Sequence, residues 1–175
     1  MAIERSQRRI AAARMAAAAR RLLDASTLCA IASVAPDGGA HVNTAYFAWT
    51  PEFQLVWMSE PRAKHSRNIR ANATVAVAVY DSTQTWGKPD RGIQLFGSAR
   101  QADRAETDHA EAIYATRFTD YRPREFEAYR FYLFRPHRIK LFDERELAAA
   151  TFVTARVGEA GDLAWERTEI YRAAT

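Results

Sequence analysis

The densest chemistry in the sequence lies between Trp57 and Asn68. Trp57-Met58-Ser59 closes an apolar run, and Arg62, Lys64, His65, Ser66, Arg67 and Asn68 follow almost at once. Permanent cations, a histidine and hydroxyls thus gather where a strand hands over to a polar, helix-compatible segment. Such a junction suits a phosphate. The N–H groups at a helix N-terminus point outward, and Arg and Lys add charge-assisted hydrogen bonds. The same residues would also serve as a solvated basic loop. Other chemistries have less support. His41, His65, His109 and His137 lack the spacing of a shared metal face. The seven glycines form neither a dinucleotide fingerprint nor a P-loop. No nucleophile-elbow pattern surrounds any serine. The single cysteine, Cys29, sits in an apolar stretch and reads as a buried structural thiol. Tyr46, Tyr80 and His65 are acid–base candidates by residue type alone.

The elements that must position this junction read as antiparallel sheet. Thr27–Ala35 is apolar and partly β-branched, and Pro36-Asp37-Gly38-Gly39 turns it back into His41–Trp49. Phe53–Ser59 is a third strand. Lys64–Asn72 suits one or two helical turns. Thr74–Tyr80 alternates Val75, Val77 and Val79 with alanines, as a strand does. Asp81–Arg91 is a long loop carrying Trp86, and Gly92–Arg100 is a fifth strand. Asp103–Phe118 is a crossing helix with Ala110, Ile113, Tyr114 and Phe118 facing inward. Tyr129–Phe142 is β-prone but broken by Pro136, so it is expected as an edge strand or two pieces. Close-spaced strands without βαβ alternation argue for a small barrel with peripheral helices, mainly β within the α+β class.

The order of these pieces resembles the pyridoxamine 5'-phosphate oxidase-like family of FMN-binding split barrels. The likeness runs through Thr27–Val34, Asp37–Val42, Leu55–Ser59, Lys64–Asn72, Val75–Val79, Gly92–Ala99 and Arg135–Phe142. It implies a six-stranded antiparallel split β-barrel and a homodimer with FMN in a groove at the interface. It implies that Trp57, Met58 and Ser59 run beside the flavin ring, that Arg62, Lys64, His65 and Ser66 approach the phosphate, and that Gln94 reaches the cofactor. The basic segment is one residue longer than in pyridoxamine phosphate oxidases, and the residues that hold pyridoxal phosphate there are not matched. Trp165-Glu166-Arg167 is a weak likeness to their terminal motif. The expected activity is therefore FMN-dependent oxidation or reduction of a small molecule other than vitamin B6. A deazaflavin-dependent reductase and a non-catalytic flavin or haem carrier are the alternatives. Trp86 is expected either to cover the pocket mouth or to anchor its loop on the surface, and Tyr46 to border the substrate.

Composition sets the remaining bounds. The chain has 175 residues, 48% apolar and 26% charged, which suits one globular domain. Within it, residues 1–24 are expected as a leading helix, 27–142 as the barrel with its crossing helix at about 103–118, and 143–175 as a C-terminal extension. The first segment holds six arginines against two acids, so the net excess of +4 lies there and the remainder is neutral. A nucleic-acid protein more often spreads basic residues over a face. No apolar run is long enough to span a bilayer, and one cysteine builds no disulfide framework. Neither nucleic acid nor membrane is expected as a partner, no metal is expected, and cytoplasmic residence fits.

Overall fold

Alternating burial runs through most of the chain, and strands dominate the computed structural model, which describes residues 2–172. The strands are β1 (Ala2–Ser6), β2 (Leu28–Val34), β3 (Ala40–Trp49), β4 (Leu55–Ser59), β5 (Thr74–Tyr80), β6 (Arg91–Gln101), β7 (Arg130–Asp143), β8 (Thr151–Val157) and β9 (Leu163–Arg172). The helices among the described residues are α1 (Ala12–Asp24), α2 (Lys64–Ala71) and α3 (Arg104–Arg117), with a 3-10 turn at Pro123–Phe126. Strand order is β1-β9-β8-β7-β4-β3-β2-β5-β6, and a further β7–β6 pairing closes β7-β4-β3-β2-β5-β6 into a six-stranded antiparallel barrel. The fold is the split barrel that the sequence led us to expect, with β8, β9 and β1 added beyond β7.

The chain falls into two compact units. One holds Met1–Ser26, Ala78–Leu95 and His137–Thr175, the other Thr27–Val77 and Phe96–Pro136. In the first unit, Ile10, Met15, Ala18, Leu22 and Leu23 are all buried, so the amphipathic stripe of the arginine-rich segment is core. The leading helix is shorter than expected, however. Ala2–Ser6 is a strand that pairs with β9, Ile3 opposite Tyr171 and Arg5 opposite Glu169. Trp165 Nε1 donates to Thr168 Oγ1 at 3.0 Å, and Arg9 lies over the Trp165 ring at 5.1 Å. No helix among the described residues is long and apolar enough to cross a membrane.

In the second unit, the Pro36–Gly39 turn forms as its residues dictate. Gly38 adopts φ +83°, and Asp37 Oδ1 accepts from the Gly39 N–H at 2.9 Å. Cys29 is buried, and burial pushes its thiol up to about 12. Helix α3 begins with a full capping box between Asp103 and Glu106. Its Ala110 and Tyr114 are buried with Val56, Phe131 and Leu133, and Ile113 and Phe118 pack against that cluster, as the stripe required. The expectation for residues 129–142 needs correction. β7 is one continuous strand, Leu55 pairs with Phe134 before Pro136, and Arg138 pairs with Arg156 after it. Proline sits where one partner strand gives way to another, so the missing N–H breaks no ladder bond to β4 or to β8.

Candidate functional site

The barrel opens between β3 and β4. These strands pair only over Phe47–Trp49 with Leu55–Trp57, although β3 continues back to Ala40 and β4 on to Ser59. Met58 and Ser59 keep their pairing with β7 but have lost β3. A groove of about 310 Å³ occupies this split. Asn43, Thr44, Ala45 and Tyr46 of β3 form one wall, and Met58 and Ser59 of β4 form another. His65 of α2, Tyr114 of α3, and Phe126 and Tyr129 complete it. None of these residues is acidic. Burial, with Tyr121 and Tyr46 nearby, pushes the Tyr114 hydroxyl up to about 12, so it stays protonated at any ordinary pH. The Asn43 Oδ1 is buried and accepts no hydrogen bond from the described residues. It is an acceptor awaiting a donor.

Helix α2 reaches the groove through His65 in its first turn. The residue before the helix, Ala63, supplies no side-chain cap, and no acidic residue stands in the first turn. The opening N–H groups and the dipole are thus left for an anion. Ser66 Oγ donates to Ser59 Oγ at 3.1 Å, and Ser59 Oγ is bonded in turn to His65 Nε2. Deeper in, Asn68 Nδ2 donates to Ser33 Oγ at 3.2 Å, which fixes the helix to β2. The His65 ring stacks on His41 of β3, centroids 6.3 Å apart. Burial, and then the charge of His41, holds His65 below the usual histidine pKa.

The cations differ in what already engages them. Arg62 pairs with Glu60 at 3.1 Å and its side chain is 91% exposed. Arg67 donates to the Arg62 carbonyl at 2.7 Å, and Arg70 to the Pro61 carbonyl at 3.1 Å. Lys64 is exposed and makes no ion pair with the described residues. Hydrogen bonds therefore join Ser59, His65 and Ser66, and Met58, Ser59 and His65 line the groove, whereas Arg62 and Lys64 are exposed and outside its lining. Trp57 is placed differently. Its side chain is fully buried, stacked on Tyr132 at 6.0 Å, so it can offer the groove only its backbone. Tyr46 borders the groove, half exposed, edge-on to Phe118. Gln94 and Trp86 belong to the other unit. Gln94 is exposed on β6, and Trp86 is 98% exposed on its loop. Asn43, Thr44, Ala45, Tyr114, Phe126 and Tyr129 were not marked by sequence reasoning. Asn43 gave a signal, a polar residue on the inward-alternating positions of β3; Tyr114 read only as core.

A model of the pyridoxamine 5'-phosphate oxidase family matches residues 15–143. The chain belongs to that family. The match takes in the whole junction, the split and α3. Solved structures share the fold at low identity. A haem-binding protein from Mycobacterium smegmatis is 17% identical, with 87% of this chain and 60% of that one covered and a TM-score of 0.65. A Clostridium acetobutylicum protein related to general stress protein 26 of B. subtilis, of the pyridoxine phosphate oxidase family, is 12% identical over 84% and 97% of the two chains, TM-score 0.63. An F420 reductase is 24% identical over 69% and 94%, TM-score 0.54. Comparison with curated proteins finds no match.

Proposed function

We propose that this family member is an FMN-dependent oxidoreductase acting on a small molecule, working as a homodimer with FMN in the split between β3 and β4. The observation that carries the proposal is the polarity of the groove. At one end stand uncapped helix N–H groups and His65, next to Lys64, which makes no ion pair with the described residues; the rest is thioether, aromatic and neutral polar wall without an acid. A phosphate fits the first end and a flat ring the second. The Asn43 Oδ1, buried and unpartnered, fits an imide N–H on such a ring. When bound, FMN supplies hydride or electron transfer through its ring. This chain's residues anchor the phosphate, wall the ring with Met58, Tyr46 and Tyr114, and keep water away from it.

An exposed apolar face supports the dimer in this reading. On the β2–β3 face, Leu28, Val34, Val42 and Tyr46 are exposed, and Leu28 lies opposite Tyr46 in register. An exposed apolar sheet face of this kind marks an association surface. It runs into the groove, because Tyr46 belongs to both. The test is the absorbance spectrum of the purified protein and its titration with FMN, alongside sedimentation. A flavin spectrum, stoichiometric FMN binding in a dimer and turnover with a nicotinamide donor are expected. A haem band or a deazaflavin chromophore in place of flavin would replace the cofactor assignment. FMN binding without redox turnover would make the protein a carrier. A monomer that takes no flavin refutes the proposal.

A further inference from the structure

The hydroxyl chain at the junction settles a question that residue types alone leave open, namely what His65 presents to a ligand. We infer that Ser59 and Ser66 are positioning residues that hold His65 as a neutral ring with its proton on Nδ1, so that the groove receives a fixed N–H donor there and not a further cation. The inference rests on the FMN reading only for the identity of the ligand.

The argument is donor bookkeeping at one buried oxygen. Ser59 is 4% exposed, and its Oγ already accepts the Ser66 hydroxyl proton at 3.1 Å. Its own proton needs an acceptor, and the atom bonded to it is His65 Nε2. When Nε2 is bare, the chain runs Ser66 O–H to Ser59 O–H to Nε2 and both hydroxyl protons are satisfied. A ring protonated on Nε2 would aim a second donor at Ser59 Oγ and strand the Ser59 proton in a buried site. A buried donor left without an acceptor carries its full desolvation penalty. Nε2 therefore accepts, and the neutral ring carries its hydrogen on Nδ1. The surroundings act in the same direction. His41 of β3 stacks on the ring, and Lys64 is its neighbour on the same helix turn. The titratable groups that share the groove with His65 are Tyr46 of β3, Tyr114 of α3 and Tyr129, while Glu60 at the junction is paired with Arg62. No carboxylate among the described residues lines the groove to draw a proton onto the ring. Phosphate attraction then falls to Lys64 and the helix N–H groups, and His65 contributes a directed hydrogen bond.

Nitrogen-15 NMR of the imidazole rings in the full chain tests this without any ligand. At about pH 7 the wild-type His65 is expected to show a protonated Nδ1 and a bare Nε2. In Ser59→Ala the tautomer should shift toward Nε2–H and the ring should titrate at higher pH. Ser59→Thr, which keeps a hydroxyl, should restore the wild-type pattern. A second readout is FMN affinity at about pH 8 and about pH 5.5, taken as the ratio of variant to wild type so that titration of the phosphate itself cancels. The ratio should rise about threefold on acidification, because the variant ring, titrating at higher pH, gains more charge than the wild-type ring. A wild-type ring that is cationic or Nε2–H at neutral pH overturns the inference, as does an unchanged tautomer in Ser59→Ala. Should that variant not fold, the wild-type spectrum and Ser66→Ala decide. Should neither protein bind FMN, the cofactor reading fails while the tautomer still decides the role of the two serines.

Discussion

Lys64 and Arg62 sit two residues apart with the same charge, yet the structure expects them to differ sharply in their effect on FMN binding. Arg62 is tied to Glu60 and almost wholly in water, so truncating it removes a screened charge that already has a partner. Exposed pairs of that kind are worth about 0–1 kcal/mol, and Arg62→Ala should weaken FMN about fivefold or less. Lys64 opens α2 without an ion-pair partner among the described residues, beside the uncapped N–H groups. A hydrogen bond to a charged group contributes about 1.5–3 kcal/mol, which converts to about a 10- to 150-fold loss in Lys64→Ala. Quenching of flavin fluorescence gives both dissociation constants directly. Repeating the titrations at raised salt should shrink the Lys64→Ala penalty, since the lost contribution is coulombic. Lys64→Gln keeps the stem and should behave as Lys64→Ala. Equal penalties for the two residues, or a larger one for Arg62→Ala, would refute the idea that the Glu60 pairing takes Arg62 out of phosphate binding. An unchanged affinity in the double variant would remove the phosphate from this junction altogether.

Two further outcomes test the frame around the groove. A Cβ on Gly97 would stand 2.1 Å from the Arg135 carbonyl oxygen and 2.7 Å from Pro136 Cα, both backbone, so neither can swing aside. Gly97→Ala should cost about 3 kcal/mol, the upper part of the overpacking range, read as a fall in Tm of about 6–12 °C; a melt within a degree of wild type would contradict the close approach of β6 to β7. Arg100, hydrogen-bonded to Glu106, and then the Asp103 N–H hold the Glu106 carboxyl down at about 2. A depressed carboxyl stabilises the fold above its unfolded pKa and loses that contribution as pH falls through its folded one. The stability gap between wild type and Glu106→Gln should therefore be full near neutral pH and close between about pH 4.5 and about pH 2; a gap independent of pH in thermal melts would disprove the linkage.

Much of the barrel was legible because its elements are local. The Pro36–Gly39 turn, the Val75–Val79 alternation and the capping box of α3 each specify their own conformation. The phosphate-suited junction was legible for the same reason, since its residues are contiguous. What escaped depends on partners distant in sequence. Ala2–Ser6 is a strand because β9, near the other end of the chain, pairs with it; composition alone favoured helix. Pro136 weakened the reading of β7 because the rule against proline in a ladder does not foresee a strand that changes partner at that residue. Tyr114 looks like core in a helical stripe, and it is core, yet it also lines the groove. Trp57, expected beside the ring, shows the converse. Side chains alternate along β4, so Trp57 turns into the barrel while Met58 faces the α3 cluster.

The early parting of β3 from β4 has a cost outside chemistry. From Ala40 to Tyr46 it leaves, on the side away from β2, a hem of peptide groups with no strand stitched to it among the described residues. That stretch contains no proline, lysine or other permanent charge to repel a stranger. Proteins usually guard such borders against edge-to-edge aggregation. In the proposed cofactor-loaded dimer the guard is whatever fills and covers the gap, and chains made faster than they are loaded are then the ones that should cloud on concentration.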